Sequence, residues 1–173
     1  MMLDNELDMI TTQSEMDREK FEHVVLNQGE LVLVVSRDHP LSASRIPKLG
    51  FRYPWVDLRL FAQDQFVLLH PSHKGNDLLQ TTFEQHQISP SVAFWTKGIE
   101  TSLMAVAQGL GVTITTADSA VREFGFSKKA VVLSFGEHPH RVDRMLVYHR
   151  RSYLSAAEKD LIHLFQELAP YKE

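Results

Sequence analysis

The sequence predicts an α/β fold, and three observations lead to that prediction. From position 66 onward, short apolar runs alternate with amphipathic segments of about ten residues, as in a parallel sheet with helical crossovers. Hydrophobic residues make up 43% and charged residues 23% of the 173-residue chain, which is an ordinary globular balance. A chain of this length buries enough surface to form a core without disulfides or structural metal.

The first 65 residues are less regular than the rest. A strand is predicted at 7–11, followed by a loop or short surface helix at 13–20. Apolar runs at 24–26 and 31–35 flank residues 27–30, Asn-Gln-Gly-Glu, a composition typical of a tight reversal between two strands. Residues 42–62 contain prolines, a glycine and scattered aromatic residues, which indicates a connecting segment at a lobe boundary.

Strands and helices then follow one another closely. Strands are predicted at 66–69, 92–95, 112–115, 130–135 and 145–149, and helices at 76–87, 99–108, 119–124 and 156–168. The last helix is the best defined, because Ser155 and Glu158 have the spacing of a capping box. One apolar stripe is expected along it, formed by Leu161, Leu164, Phe165 and Leu168.

Charge and cysteine content exclude several classes of protein. The chain has 18 basic and 22 acidic residues, a net charge of -4, which argues against direct nucleic acid binding by this chain. The absence of cysteine excludes thiol catalysis and iron-sulfur ligation and fits the cytoplasm. No apolar run is long enough to span a membrane, so no membrane association is expected.

No motif of a known catalytic or cofactor site is present, so we predict no enzymatic activity and no cofactor. Gly109 and Gly111 follow a predicted helix, where Gly109 is expected to be a C-cap rather than part of a dinucleotide loop. The pairs His70/His73 and His138/His140 are interpreted as surface histidines in loops, and no metal site is predicted.

Hydroxyl side chains instead gather where the predicted strands end, in four clusters at 11–12, 72–76, 96–98 and 115–116. In an open parallel sheet, ligands bind outside the carboxyl ends of the strands, where helix N-termini favour anions. Each hydroxyl alone is better explained as a helix cap or turn former, which is the commonest role of Ser and Thr at such positions. Their recurrence at four strand ends favours a site for a small anion.

Several strings resemble the effector-binding domain of LysR-type transcriptional regulators. They are ELVLVVSRDHPL at 30–41, QFVLL at 65–69, FE through ISP at 83–90, and IET through VAQGLGVTI at 99–114. The resemblance implies a two-lobed fold like the type 2 periplasmic binding proteins, with lobe I at 1–65 and 141–173 and lobe II at 66–140. It also implies that the winged helix-turn-helix, the linker helix and the first elements of lobe I are missing, so that lobe I is incomplete.

The resemblance further implies a small, anionic metabolite as effector, bound in the cleft between the lobes. The positions of this sequence that match the family's cleft are Thr11, Thr12, His70, Ser72, Thr96, Ile99, Glu100, Thr115 and Thr116. With the strands that flank residues 7–11 absent, an unpaired apolar edge predicts homo-oligomers. The alternatives are a free-standing solute-binding domain of the same fold and, with less support, an enzyme.

Overall fold

The computed structural model describes residues 7–72, 76–124 and 129–168. The chain divides into two compact units, one formed by Met1–Gly29 with Val142–Glu173 and the other by Glu30–Arg141. The strands are β1 (Met9–Thr12), β2 (Phe21–Ser36), β3 (Gln65–Leu69), β4 (Ser91–Thr96), β5 (Thr113–Thr116), β6 (Ala130–Leu133) and β7 (Arg141–His149). The α-helices are α1 (Asn76–Gln85), α2 (Ile99–Ala107), α3 (Ala117–Phe124) and α4 (Ala156–Leu168). The lobe boundaries at 65 and 141 stay a prediction.

The first unit contains β1, the beginning of β2, β7 and helix α4. Strand β1 runs antiparallel to β7, with Met9 opposite Tyr148 and Thr12 opposite Met145. Helix α4 buries Ile162 in an apolar cluster with residues of β2 and β7. The expected stripe of α4 is largely exposed, including Leu164 at 48% and Leu168 at 75%. The stripe therefore exists, but Ile162 is the residue that anchors the helix.

The second unit combines antiparallel and parallel pairing. The end of β2 pairs antiparallel with β5 and with β6, and residues 31–35 are almost completely buried there. Strands β3 and β4 are parallel, and Phe66 of β3 forms a parallel bridge with Val112, just before β5. The parallel pairing expected from the sequence is present at β3, but β2 adds antiparallel pairs, because it runs in the opposite direction to β5 and β6.

The predicted reversal at 27–30 is also wrong, since β2 continues through these residues without a turn. Gly29 does not adopt the positive φ that a tight hairpin turn requires. Instead β2 passes from the first unit into the second, and partners in both units hold it extended. The connecting segment predicted at 42–62 is present and contains two short 3-10 helices, Pro40–Ser44 and Leu58–Phe61.

Candidate functional site

The carboxyl ends of β3 and β4 lie side by side in the second unit. These strands pair in parallel up to Leu69 opposite Thr96, and the bridge between Phe66 and Val112 brings the following strand, β5, alongside β3. Helix α2 begins three residues after β4, and helix α3 begins directly after β5. This edge therefore collects strand ends and helix N-termini, as the sequence predicts for an anion site.

Thr96 is the last residue of β4, and its hydroxyl is engaged inside the protein. Its Oγ1 lies 2.6 Å from the Oγ of Ser102, and it can also donate to the carbonyl oxygens of Gly98 at 3.2 Å and Leu68 at 3.4 Å. The Thr96 carbonyl accepts a bond of 2.8 Å from the backbone N–H of His70. Thr96 thus ties the end of β4 to the first turn of α2 and to the loop after β3.

The N-terminus of α2 has no side-chain cap. Its N-cap is Gly98 in an extended conformation, which offers no side chain to cap the first-turn N–H groups. Ile99 packs on the core cluster that includes Leu103 and Val106. The N–H groups of this turn and the partial positive charge of the helix end are suited to an anion.

Glu100 is the one acidic side chain among the predicted effector residues. Its carboxylate lies 3.7 Å from the guanidinium of Arg122, and both side chains are largely exposed. A β-carbon at Gly98 would lie 3.3 Å from Glu100 Oε2, so this carboxylate reaches back toward the start of its own helix. A carboxylate in the first turn stabilises the helix N-terminus.

The remaining predicted residues of this unit fall in two groups. His70 and Ser72 are exposed, and the Nδ1 of His70 lies 2.9 Å from the Oγ of Ser72 in a local turn. Thr115 and Thr116 are buried in β5, where the Thr116 hydroxyl lies 3.2 Å from that of Ser119 on α3. His73, the partner of His70 in the histidine pair, lies outside the described residues.

Thr11 and Thr12 belong to the first compact unit. They end β1, where Thr11 is exposed and Thr12 accepts a bond of 3.0 Å from the backbone N–H of Ser14. The structure therefore gathers Thr96, Ile99 and Glu100 around the start of α2 and places His70 at the adjoining strand end. The effector role of all nine residues stays a prediction.

Ser102 is the residue of this site that the sequence did not assign to effector binding. It is fully buried on α2, six positions after Thr96, and bonds to the Thr96 hydroxyl. In the sequence, the signal for such a link is a serine in the first turn of a helix that follows Thr-x-Gly.

A cavity of about 560 Å³ lies elsewhere in the same unit, between the end of α1 and residues 136–140. None of the predicted effector residues lines it. Within the described ranges, no group of three or more His, Asp or Glu side chains could hold a metal ion. No helix in those ranges combines the length and apolar character needed to cross a membrane.

Comparisons with known proteins agree with this architecture. A family model described as LysR substrate binding domain matches residues 1–170. A search of curated proteins gives no significant match.

Three solved structures illustrate the likeness in fold. The effector-binding domain of QuiR in complex with shikimate has a TM-score of 0.77 and 19% identity, covering 97% of this chain and 74% of that chain. The regulatory domain of Synechocystis PCC6803 CcmR in complex with 2-PG has a TM-score of 0.82 and 19% identity, covering 99% of this chain and 77% of that chain. The C-terminal domain of a probable LysR family transcriptional regulator from Rhodococcus sp. RHA1 has a TM-score of 0.73 and 23% identity, covering 95% of this chain and 76% of that chain. At these identities the likeness establishes the fold and not the ligand.

Proposed function

Since this chain belongs to the LysR substrate binding domain family, which matches residues 1–170, we propose that it senses a small anionic metabolite. The binding site we propose is the edge formed by the ends of β3, β4 and β5 and the start of α2. The type 2 periplasmic-binding-protein-like α/β fold and the LysR resemblance predicted from the sequence are both confirmed. Domains of this family are effector-binding regulators and not enzymes, and the family match does not favour a free-standing solute-binding domain.

The observation that carries the proposal is the α2 N-terminus without a side-chain cap at the end of β4. Uncapped N–H groups at a helix start bind carboxylate or phosphate oxygens well. The shikimate in the QuiR structure is a carboxylate, which supports an acidic ligand for a chain of this fold. As a regulator without cysteine, the protein is expected in the cytoplasm.

Thr96 offers the test of this site. We expect Thr96→Val to weaken binding of a small carboxylate about tenfold, because it removes the hydroxyl contacts with Ser102 and Gly98 that fix the first turn of α2, and neutral bonds of this kind contribute about 0.5–1.5 kcal/mol each. Thr96→Ser keeps the hydroxyl and should bind as the unmodified chain does. The ligands are screened from a panel of small carboxylates that includes shikimate, and affinities are measured by calorimetry.

Thr82→Val is the matched control. Thr82 is also a buried threonine of this unit, and its hydroxyl donates a 2.8 Å bond to the carbonyl of Leu78 within α1. The same loss of a hydroxyl there should leave ligand affinity unchanged. If a carboxylate binds Thr96→Val and the unmodified chain equally well, the anion does not occupy the start of α2.

A further inference from the structure

Two histidines that are distant in the sequence meet in the cavity of the second unit. His86 directly follows α1, and His140 directly precedes β7, where the chain leaves this unit. Their Nε2 atoms lie 3.3 Å apart, and both side chains line the cavity of about 560 Å³. Both histidines are partly buried.

The surrounding residues hold both rings in place. The ring of Phe135 contacts His86 edge-on at 5.6 Å between centroids and His140 at 5.1 Å. Gly136 has a φ of +87°, and a β-carbon there would lie 3.0 Å from His140 Nε2. The Gly136 carbonyl is itself fixed, because it accepts a 2.7 Å bond from the indole N–H of Trp55. Glycine at this position therefore leaves the space that the His140 ring occupies.

The spacing of the two nitrogens fits ligands of one metal ion. Two imidazole nitrogens that each lie about 2.0–2.1 Å from a tetrahedral Zn²⁺ are about 3.3–3.4 Å apart. In the metal-free pair, the hydrogen on one Nε2 is donated to the other Nε2. A metal needs both lone pairs, so that ring must carry its hydrogen on Nδ1 instead. This is a change of tautomer with no net release of a proton.

The electrostatic surroundings keep the pair in the neutral form that binds metals. Burial lowers the pKa of His86, and burial together with the adjacent His86 lowers the pKa of His140. Arg59 and Asp57 also line the cavity, and they pair through hydrogen bonds of 2.7–3.1 Å. These hydrogen bonds lower the pKa of Asp57, which stays ionised beside the histidines. Glu137 adds a second carboxylate to the cavity wall.

We propose that His86 and His140 form a two-histidine site for a late first-row divalent cation, Cu²⁺, Ni²⁺ or Zn²⁺. Neutral imidazole nitrogens suit these ions, whereas Mg²⁺ and Ca²⁺ prefer oxygen ligands. No third His, Asp or Glu of the described residues completes a ligand group, so water fills the other positions. The cavity has room for that water or for an exogenous ligand.

The test is a titration of the chain with Zn²⁺ and with Ni²⁺ in a buffer that does not bind metals, followed by calorimetry. We expect one equivalent of metal ion to bind more tightly than any other. His86→Asn and His140→Asn should each weaken the binding of that equivalent about tenfold or more, since even the loss of a group that only hydrogen-bonds to a metal ligand costs that much. His163→Asn removes an exposed histidine of α4 and should leave that equivalent unchanged. Mg²⁺ should not compete.

A second measurement avoids dependence on the variants. Nitrogen NMR of the unmodified chain with Zn²⁺ should show two imidazole rings that change to the Nδ1–H tautomer with metal on Nε2. The proposal is overturned if Zn²⁺ and Ni²⁺ do not bind up to millimolar concentration. It is equally overturned if both folded variants retain the tightest equivalent, or if rings other than His86 and His140 respond.

Discussion

Replacement of Gly111 by alanine tests how β5 is attached to β3. Gly111 precedes β5 with a φ of +147°, a conformation that L side chains rarely adopt. A β-carbon at this position would overlap the carbonyl oxygen of Gln65 and would lie 3.2 Å from Cγ2 of Val67. The obstacle is the backbone of β3, which cannot rotate away as a flexible side chain would.

The size of the effect follows from the bonds that must break. Val112 donates a 2.9 Å backbone bond to Gln65, and Val67 donates one of 2.9 Å to Val112. Separating the strands loses both bonds, at about 1 kcal/mol each. A strained backbone at residue 111 costs about 1–3 kcal/mol more. We therefore expect Gly111→Ala to lower the free energy of unfolding by about 3–5 kcal/mol.

Gly109→Ala is the matched control, two residues earlier in the same loop. Gly109 also has a positive φ, +76°, but a β-carbon there would meet no heavy atom within 4 Å. Only the left-handed backbone is then unfavourable, at about 1–2 kcal/mol. Urea unfolding followed by circular dichroism measures both variants. If Gly111→Ala destabilises the chain no more than Gly109→Ala does, the close approach of β3 to residue 111 is not what requires glycine.

Three other changes have defined outcomes. Because burial lowers the pKa of His86 and His140, the unfolded chain binds more protons below its histidine pKa of about 6.5, so stability should fall as pH drops from 7.5 to 5. In urea unfolding, this decline should be smaller in His140→Asn, and an equal decline would contradict the assignment. Ser155→Ala removes the hydroxyl that accepts a 3.3 Å bond from the Glu158 N–H and should lower the melting temperature by about 2–4 °C, whereas an unchanged calorimetric value would show that the cap adds nothing. Strand β1 pairs with β7 alone among the described strands, so sedimentation should show association at micromolar concentration that Thr11→Lys reduces; a monomer at all concentrations would refute it.

Most element positions could be predicted because their signals are local. The capping box places the start of α4 at 156, and the apolar stripe before Pro170 places its end at 168, where the structure has them. The bounds of α2 agree to within one residue, because Gly98 precedes the apolar periodicity and Gly109, with its φ of +76°, follows it. The capping residues and the apolar periodicity of a helix lie within a few residues of each other, so both can be recognised from the local sequence.

The errors arose where distant partners decide. Residues 27–30 have the composition of a turn, yet β2 continues through them as one strand that pairs with β7, and from residue 31 also with β5 and then β6. Likewise the α4 stripe predicts that Leu161, Leu164 and Phe165 share a face, but periodicity does not say what covers that face. In the described residues it is Ile162, next to that stripe, that is buried. Propensity and period set local geometry, while the topology selects which faces are buried.

The candidate sites follow the same division. Thr96 and the start of α2 are close in sequence, so their proximity could be predicted from strand and helix order. His86 and His140 are 54 positions apart, and the contact depends on how α1 and the segment before β7 pack around Phe135. Nothing in the sequence near either histidine indicates the other. The sequence analysis paired His140 with His138, whereas the structure pairs it with His86.

The Thr96 contacts also change how its hydroxyl can act on an anion. A hydroxyl has one hydrogen to donate, and around Thr96 the Ser102 hydroxyl and the Gly98 carbonyl already compete for it within 3.2 Å. Ser102 is fully buried, so its hydroxyl is not available to a ligand. Next to Thr96, the donors suited to an anion are the backbone N–H groups of the first turn of α2. Under the proposed function, Thr96 would act by fixing the direction of that turn, and backbone geometry would select the anion. Threonine type and position alone therefore could not identify the effector.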